Sequence, residues 1–169
     1  MKVRLVKIMI ALGVVALLNS VSFAQSQSTF QDPLQVLTGT KLSNYKSALN
    51  RLKAGFDEVC GDTFCEGDFS NLSSIDLTCS LSVANETLTD CAWTFVGVAS
   101  EVNSENGSVD TSNQMLKTCH LDVAKVTLEE FTASINQKKR TQDASQKNAL
   151  QVIFKGKTSS LYDQIARCL

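Results

Sequence analysis

The chain has 169 residues, a single histidine (His120) and no Cys-x-x-Cys pair. Zinc sites draw on cysteines and histidines at short, regular spacing, and that spacing is absent. With one imidazole, any nucleophilic triad would have to use His120. Cys119 and Asp122 stand beside it, but adjacent strand residues point to opposite faces, so Cys119 and His120 cannot form a dyad. No Gly-x-Ser-x-Gly elbow occurs, and no nucleotide-binding motif emerges. Clustered basic residues are also scarce. Lys138-Lys139-Arg140 is the one basic run, and it reads as a solvated loop. That argues against nucleic acid as a partner, because such binding rests on clustered Lys and Arg. Past the first two dozen residues, no segment is apolar enough to span a membrane.

Those first residues read as a secretory signal, 1–24. Lys2, Arg4 and Lys7 form a basic start, Ile8 to Leu18 an apolar run, and Ser22-Phe23-Ala24 a cleavage site before Gln25. The apolar run is well short of the ~20 residues of a membrane span. No cysteine follows the expected cut, which argues against a lipid anchor. Cleavage leaves one domain by size. It also removes three basic residues and no acidic ones, taking the net charge from −1 to about −4. The expected location is therefore the periplasm, the cell surface or the medium.

Six cysteines follow the signal: Cys60, Cys65, Cys79, Cys91, Cys119 and Cys168. An even count in an exported chain implies disulfides.

Residues 25–40 read as a polar tether and a short helical turn. Asp32 suits its N-cap, Pro33 its first position and Gly39 its end. The domain proper is 41–169. Leu42, Tyr45, Leu49, Leu52, Phe56 and Val59 recur at steps of three and four, which predicts a long helix over 41–59. A loop from Cys60 to Phe69 follows, with Gly61 and Gly67 as turn residues.

Next, Ile75, Leu77, Cys79, Leu81 and Val83 alternate with polar residues. So do Cys91, Trp93 and Phe95. This is the period-two mark of two half-buried strands. The turn is Ala84-Asn85-Glu86, with Asn85 suited to a left-handed conformation. Pointing both apolar faces into one core sets Val83 opposite Thr87 and Cys79 opposite Cys91. Asn106-Gly107 predicts a second turn, into a third strand within 109–121. The inner face of that strand is open: Met115, Lys117 and Cys119 compete with Leu116, Thr118 and His120.

Thr127-Leu128-Glu129-Glu130 reads as a capping box for a short helix. Residues 149–154 read as a fourth strand or extended segment. Ser159 or Ser160 caps a final helix carrying Leu161, Ile165 and Cys168 on one face. The predicted fold is α+β: a long N-terminal helix on a small antiparallel sheet of three to four strands, with two shorter C-terminal helices, stapled by disulfides.

From the register comes the pairing Cys79–Cys91. Sequence proximity gives Cys60–Cys65, and elimination leaves Cys119–Cys168, which would anchor the final helix.

The segment Cys60-Gly61-Asp62-Thr63-Phe64-Cys65-Glu66-Gly67-Asp68-Phe69-Ser70-Asn71-Leu72 resembles an uncharacterised family of exported, cysteine-containing proteins of Gram-negative bacteria. The likeness extends to Cys91-Ala92-Trp93-Thr94-Phe95 and to Ser160 through Leu169, about a third of the chain. It implies a shared exported, cysteine-bearing fold, and no activity, cofactor or partner.

Three readings of function remain. The leading one is a non-enzymatic exported protein that binds another protein or an envelope component. Asp62, Glu66 and Asp68 suggest the others. They could offer oxygen ligands to calcium in a stabilised structural module, although their spacing is not that of an EF-hand. A pair of them could act as acid and base on envelope glycans if held some 5–10 Å apart. Carboxylates in a turn also serve simply for solvation and local backbone hydrogen bonds. Trp93, Phe95 and Phe56 could line a ligand pocket, but fit a core as well.

Overall fold

The long apolar stripe does form a helix, and that helix roofs a sheet. The computed structural model describes residues 29–59, 71–137 and 148–169. Along the chain run β1 (Phe30–Gln31), α1 (Pro33–Val36), α2 (Gly39–Val59), β2 (Ser73–Ser82), β3 (Thr87–Val102), β4 (Val109–Leu121), α3 (Leu128–Asn136), a 3-10 turn (Ala149–Gln151) and α4 (Leu161–Cys168). The strands form one antiparallel sheet in the order β1-β2-β3-β4. The α+β class, the long helix and the two shorter C-terminal helices are as the sequence predicts.

On α2, Tyr45, Leu52 and Phe56 are fully buried, joined by Ala48 and Gly55. Leu42, Leu49 and Val59 flank them, half-buried. Phe56 meets Phe95 at 4.7 Å and Trp93 at 5.9 Å between ring centroids. These three rings are core, not pocket: none exceeds 1% exposure. A second aromatic group, Tyr45, Phe131 and Phe154, joins α2 to α3 and the segment after the 3-10 turn.

The β2–β3 pairing corrects the predicted register in part. Cys79 does oppose Cys91, and the two are bonded with their Cα atoms 4.0 Å apart. Register shifts lie on either side. Near the turn, Leu81 pairs with Leu88 and Ser82 with Thr87, so Thr89 is an extra residue and Val83 does not oppose Thr87. At the other end Ile75 is extra. A one-residue bulge reverses which side chains face the core. The bulge on β2 leaves Ile75, read as inward, exposed and Ser74 buried; Val83, also read as inward, lies past the end of β2 and is exposed, while Ser82 is buried. Ser74 has a use there: its hydroxyl accepts the Trp93 Nε1 proton at 2.6 Å.

Other local expectations also change. The residue with positive φ in the first turn is Glu86, not Asn85. Asn85 instead accepts from the Thr87 backbone and hydroxyl. Phe30, read as tether, pairs with Ser82. Residues 149–154 form no fourth strand. Asn148 caps a 3-10 turn there, with its Oδ1 accepting from Leu150 N, and β1 is the fourth strand instead. Thr127 caps α3, but the Glu130 carboxylate accepts from Lys155 N and does not close a box. The reciprocal box is on α4, between Ser160 and Asp163. Leu161 and Ile165 of α4 are buried, and Cys168 is bonded to Cys119 with a Cα separation of 5.8 Å.

Candidate docking face of the sheet

Strand alternation sorts the sheet into two faces. On β3, Cys91, Trp93 and Phe95 are buried under the helices. Ala92, Thr94, Val96 and Val98 therefore point away from them. On β4, buried Cys119 and Leu121 settle the face left open by the sequence, and Leu116, Thr118 and His120 lie on the outer side. Lys117 is exposed and Met115 only half-buried.

Cross-strand pairing joins these outer residues into rows. His120 pairs with Ala92, Thr118 with Thr94, and Leu116 with Val96. The Thr94 and Thr118 hydroxyls share a hydrogen bond of 3.0 Å. His120 Nδ1 meets Asp90 Oδ2 at 2.9 Å, both well exposed. Asp122, the other partner weighed for a triad, instead binds Lys157. Cys119 is buried in its disulfide on the opposite face. No nucleophile, base and orienting group come together here.

β3 and β4 continue pairing beyond the start of β2, as far as Val102 opposite Val109. The hairpin closes through Asn103 and Gly107, with φ +72° at Gly107, where a side chain would be strained. Along this arm Val102 is 70% exposed, Val109 64% and Leu116 74%. With half-buried Val96 and Val98 they group apolar residues on the outer side, broken once by the polar pair Ser100–Thr111. Soluble proteins scatter single exposed apolar residues freely, whereas a group of them on one face marks a contact surface. The group escaped the sequence reading because the face of β4 was ambiguous there.

Cys60, Cys65, Asp62, Glu66 and Asp68 lie outside the described residues, as do residues 1–24, which the sequence reading assigns to a signal. Among the described residues, no group of three metal-ligating side chains gathers. Nor is any helix among them long and apolar enough to cross a membrane. No family model, curated protein or solved structure matches this chain.

Proposed function

We propose that this protein is an exported, non-enzymatic binding module whose outer sheet face holds another protein or an envelope component. The observation that carries the reading is the exposed row Val96–Leu116, continued along the arm by Val102 and Val109. The opposite face spends its apolar residues on the helices; this one has no such cover among the described residues. Export rests on the signal-like start and on two disulfides, which persist in oxidising compartments.

Two measurements test it. Intact mass of the protein from the producing cells should give an N-terminus at Gln25 or within a few residues of it. A retained Met1 removes export. Wild-type and Leu116→Ser/Val102→Ser chains, immobilised side by side, should differ in what they retain from an envelope extract. Identical partners on both would remove the outer face as the binding surface. The two substitutions sit on exposed positions, so folding should be nearly unaffected.

A further inference from the structure

The sheet ends on an open edge. In the strand order β4 comes last, and among the described residues it pairs with β3 alone. An edge strand offers a row of backbone N–H and C=O groups to any strand that fits beside it. Proteins blunt such edges with short strands, covering elements, charge or bulges. β4 is not short: it runs for 13 residues, Val109–Leu121. α4 meets it near its C-terminal end, through the Cys119–Cys168 bridge and the bond from Asp122 N to Gln164 Oε1. Before that end, Val109 to Ser112, Gln114 and Leu116 to Thr118 are exposed, and Met115 is half-buried.

Asp110 and Lys117 are the only carboxylate and the only lysine on β4. Their odd separation would put them on opposite faces of an unbroken strand. The extra residue between Ser112 and Met115 changes that. Asp110 lies opposite Glu101, and Lys117 opposite Phe95. Glu101 and Phe95 share the helix side of β3, so Asp110 and Lys117 share it on β4. Val109, Thr111, Leu116 and Thr118 share the outer side. Glu101 facing Asp110 is a like-charge pair, which destabilises the arm. Among the described residues neither acid has a cationic partner, and Lys117 has no acidic one.

We propose that a second copy of this chain occupies the edge, β4 against β4, antiparallel about a two-fold axis at Asn113-Gln114. Such an isologous pairing sets Asp110 opposite the partner's Lys117 and Lys117 opposite the partner's Asp110. Each of these pairs falls on one face because of the inserted residue. A bulge normally turns an edge away from pairing. Here it sits on the axis, and residues 109–112 pair with 115–118 of the other copy on either side of it. Each lysine neutralises a Glu101–Asp110 pair, so association removes a repulsion that the free chain bears. On the outer side Val109 meets the partner's Thr118 and lies diagonal to the partner's Leu116, within reach of it. A slip of two residues keeps the faces but sets Asp110 opposite Met115 or Cys119 and loses both ion pairs. The charges thus select one register. Nothing in this pairing depends on the outer face binding another protein.

The test is sedimentation equilibrium on the protein purified from the producing cells, with the two charges exchanged. Wild type should dimerise as its concentration rises. The dimer should weaken at about 0.5 M salt, where exposed charges are screened within ~4 Å. Asp110→Lys and Lys117→Glu should each weaken it by about tenfold or more, since each sets like charges together at both pairs. Mixing the two variants should restore a heterodimer of wild-type strength, because every pair is again opposite in sign. Asp110→Lys/Lys117→Glu in one chain should do the same. Both positions are exposed, so melting temperatures should stay near wild type. Asp57→Asn/Glu129→Gln, which removes two acids on the helices, should leave the dimer unchanged. A wild type still monomeric at about 1 mM overturns the proposal. So does a dimer that tolerates either single exchange, or one that neither the mixture nor the double exchange restores. A dimer lost with Leu116→Ser/Val102→Ser but unmoved by charge exchange lies on the outer face, and the edge pairing fails while that face stands.

Discussion

Asn148 is seated on Gly55. Its Nδ2 donates to the Gly55 carbonyl at 2.7 Å, and its Oδ1, which caps the 3-10 turn through Leu150 N, fills the space a Cβ at position 55 would need. One side chain thus docks the segment that begins at Asn148 onto the C-terminal part of α2. Gly55 is there for closeness, since its backbone is ordinary helix.

Gly55→Ala should therefore destabilise the protein by about 1–3 kcal/mol, the cost of displacing a side chain held by several hydrogen bonds. In an Asn148→Ala background the same change should reverse sign. Alanine is the better helix former by about 1 kcal/mol once the obstruction is gone. Urea unfolding of the four proteins in the cycle checks it, and simple additivity would refute the seating.

The two disulfides among the described residues close loops of different length, with separations of 12 and 49 residues. In the chain-entropy model these are worth about 3 and about 4 kcal/mol. Replacing Cys119 and Cys168 with alanine should thus cost more than replacing Cys79 and Cys91. It should also free α4, seen as early proteolysis at Arg167. Non-reducing peptide maps should join Cys79 to Cys91 and Cys119 to Cys168. Any other partner for these four refutes the register.

Tyr45 is fully buried, and its hydroxyl finds no partner among the described residues. Burial, with Asp32 and Asp76 nearby, pushes its pKa well above the ordinary tyrosine value of 10.0. Only the unfolded chain then ionises readily. The stability this group contributes is present below pH 10 and is lost as the pH rises further. Tyr45→Phe should leave neutral-pH stability unchanged or raise it by up to about 1 kcal/mol, since a buried unpartnered hydroxyl is removed. It should also flatten the loss in alkali, as read by melting temperature from pH 7 to about 11.

Asp163 behaves in the opposite sense. The Ser160 hydroxyl and backbone N–H donate to its carboxylate and hold its pKa below the ordinary 3.8. Its contribution is fully present above that value and is lost as the pH falls through and below it. Asp163→Asn should destabilise α4 at neutral pH and reduce the acid sensitivity. Proteolysis at Arg167 against pH reads this. A variant with the wild-type pH profile would show that the box does not secure the helix.

Much of the fold was legible because burial imposes a period. Leu52 and Phe56 on α2, and Cys79, Cys91 and Trp93 on the hairpin, sit where spacing put them. Illegible were the places where one residue is inserted. Counting back from the Asn106-Gly107 turn in simple register would set Cys119 opposite Ala92, on the outer face. A shift between Gly97 and Ala99 leaves an extra residue on β4 and moves Cys119 opposite Trp93 instead. That single insertion produced the ambiguity over β4 and hid the apolar group. Bulges at Ile75 and Thr89 did the same on a smaller scale. No local composition announced them, because what selects a bulge is the fit of distant side chains: here Ser74 reaching the indole of Trp93. The 149–154 segment failed for a related reason. Asn148 turns it through a contact 93 residues away in sequence.

The positions of the four described cysteines also impose an order in time. Of these four, synthesis delivers Cys79 and Cys91 first, and a short separation lets them collide often. Cys119 emerges while its partner is still 49 residues away. On the finished sheet Cys119 faces Trp93, a step along from Cys91 on the adjacent strand, so Cys91 is its nearest wrong choice. A hairpin bridge closed before Cys119 arrives removes that thiol from competition. The chain sorts its own partners by arrival, the local bridge clearing the field for the distant one.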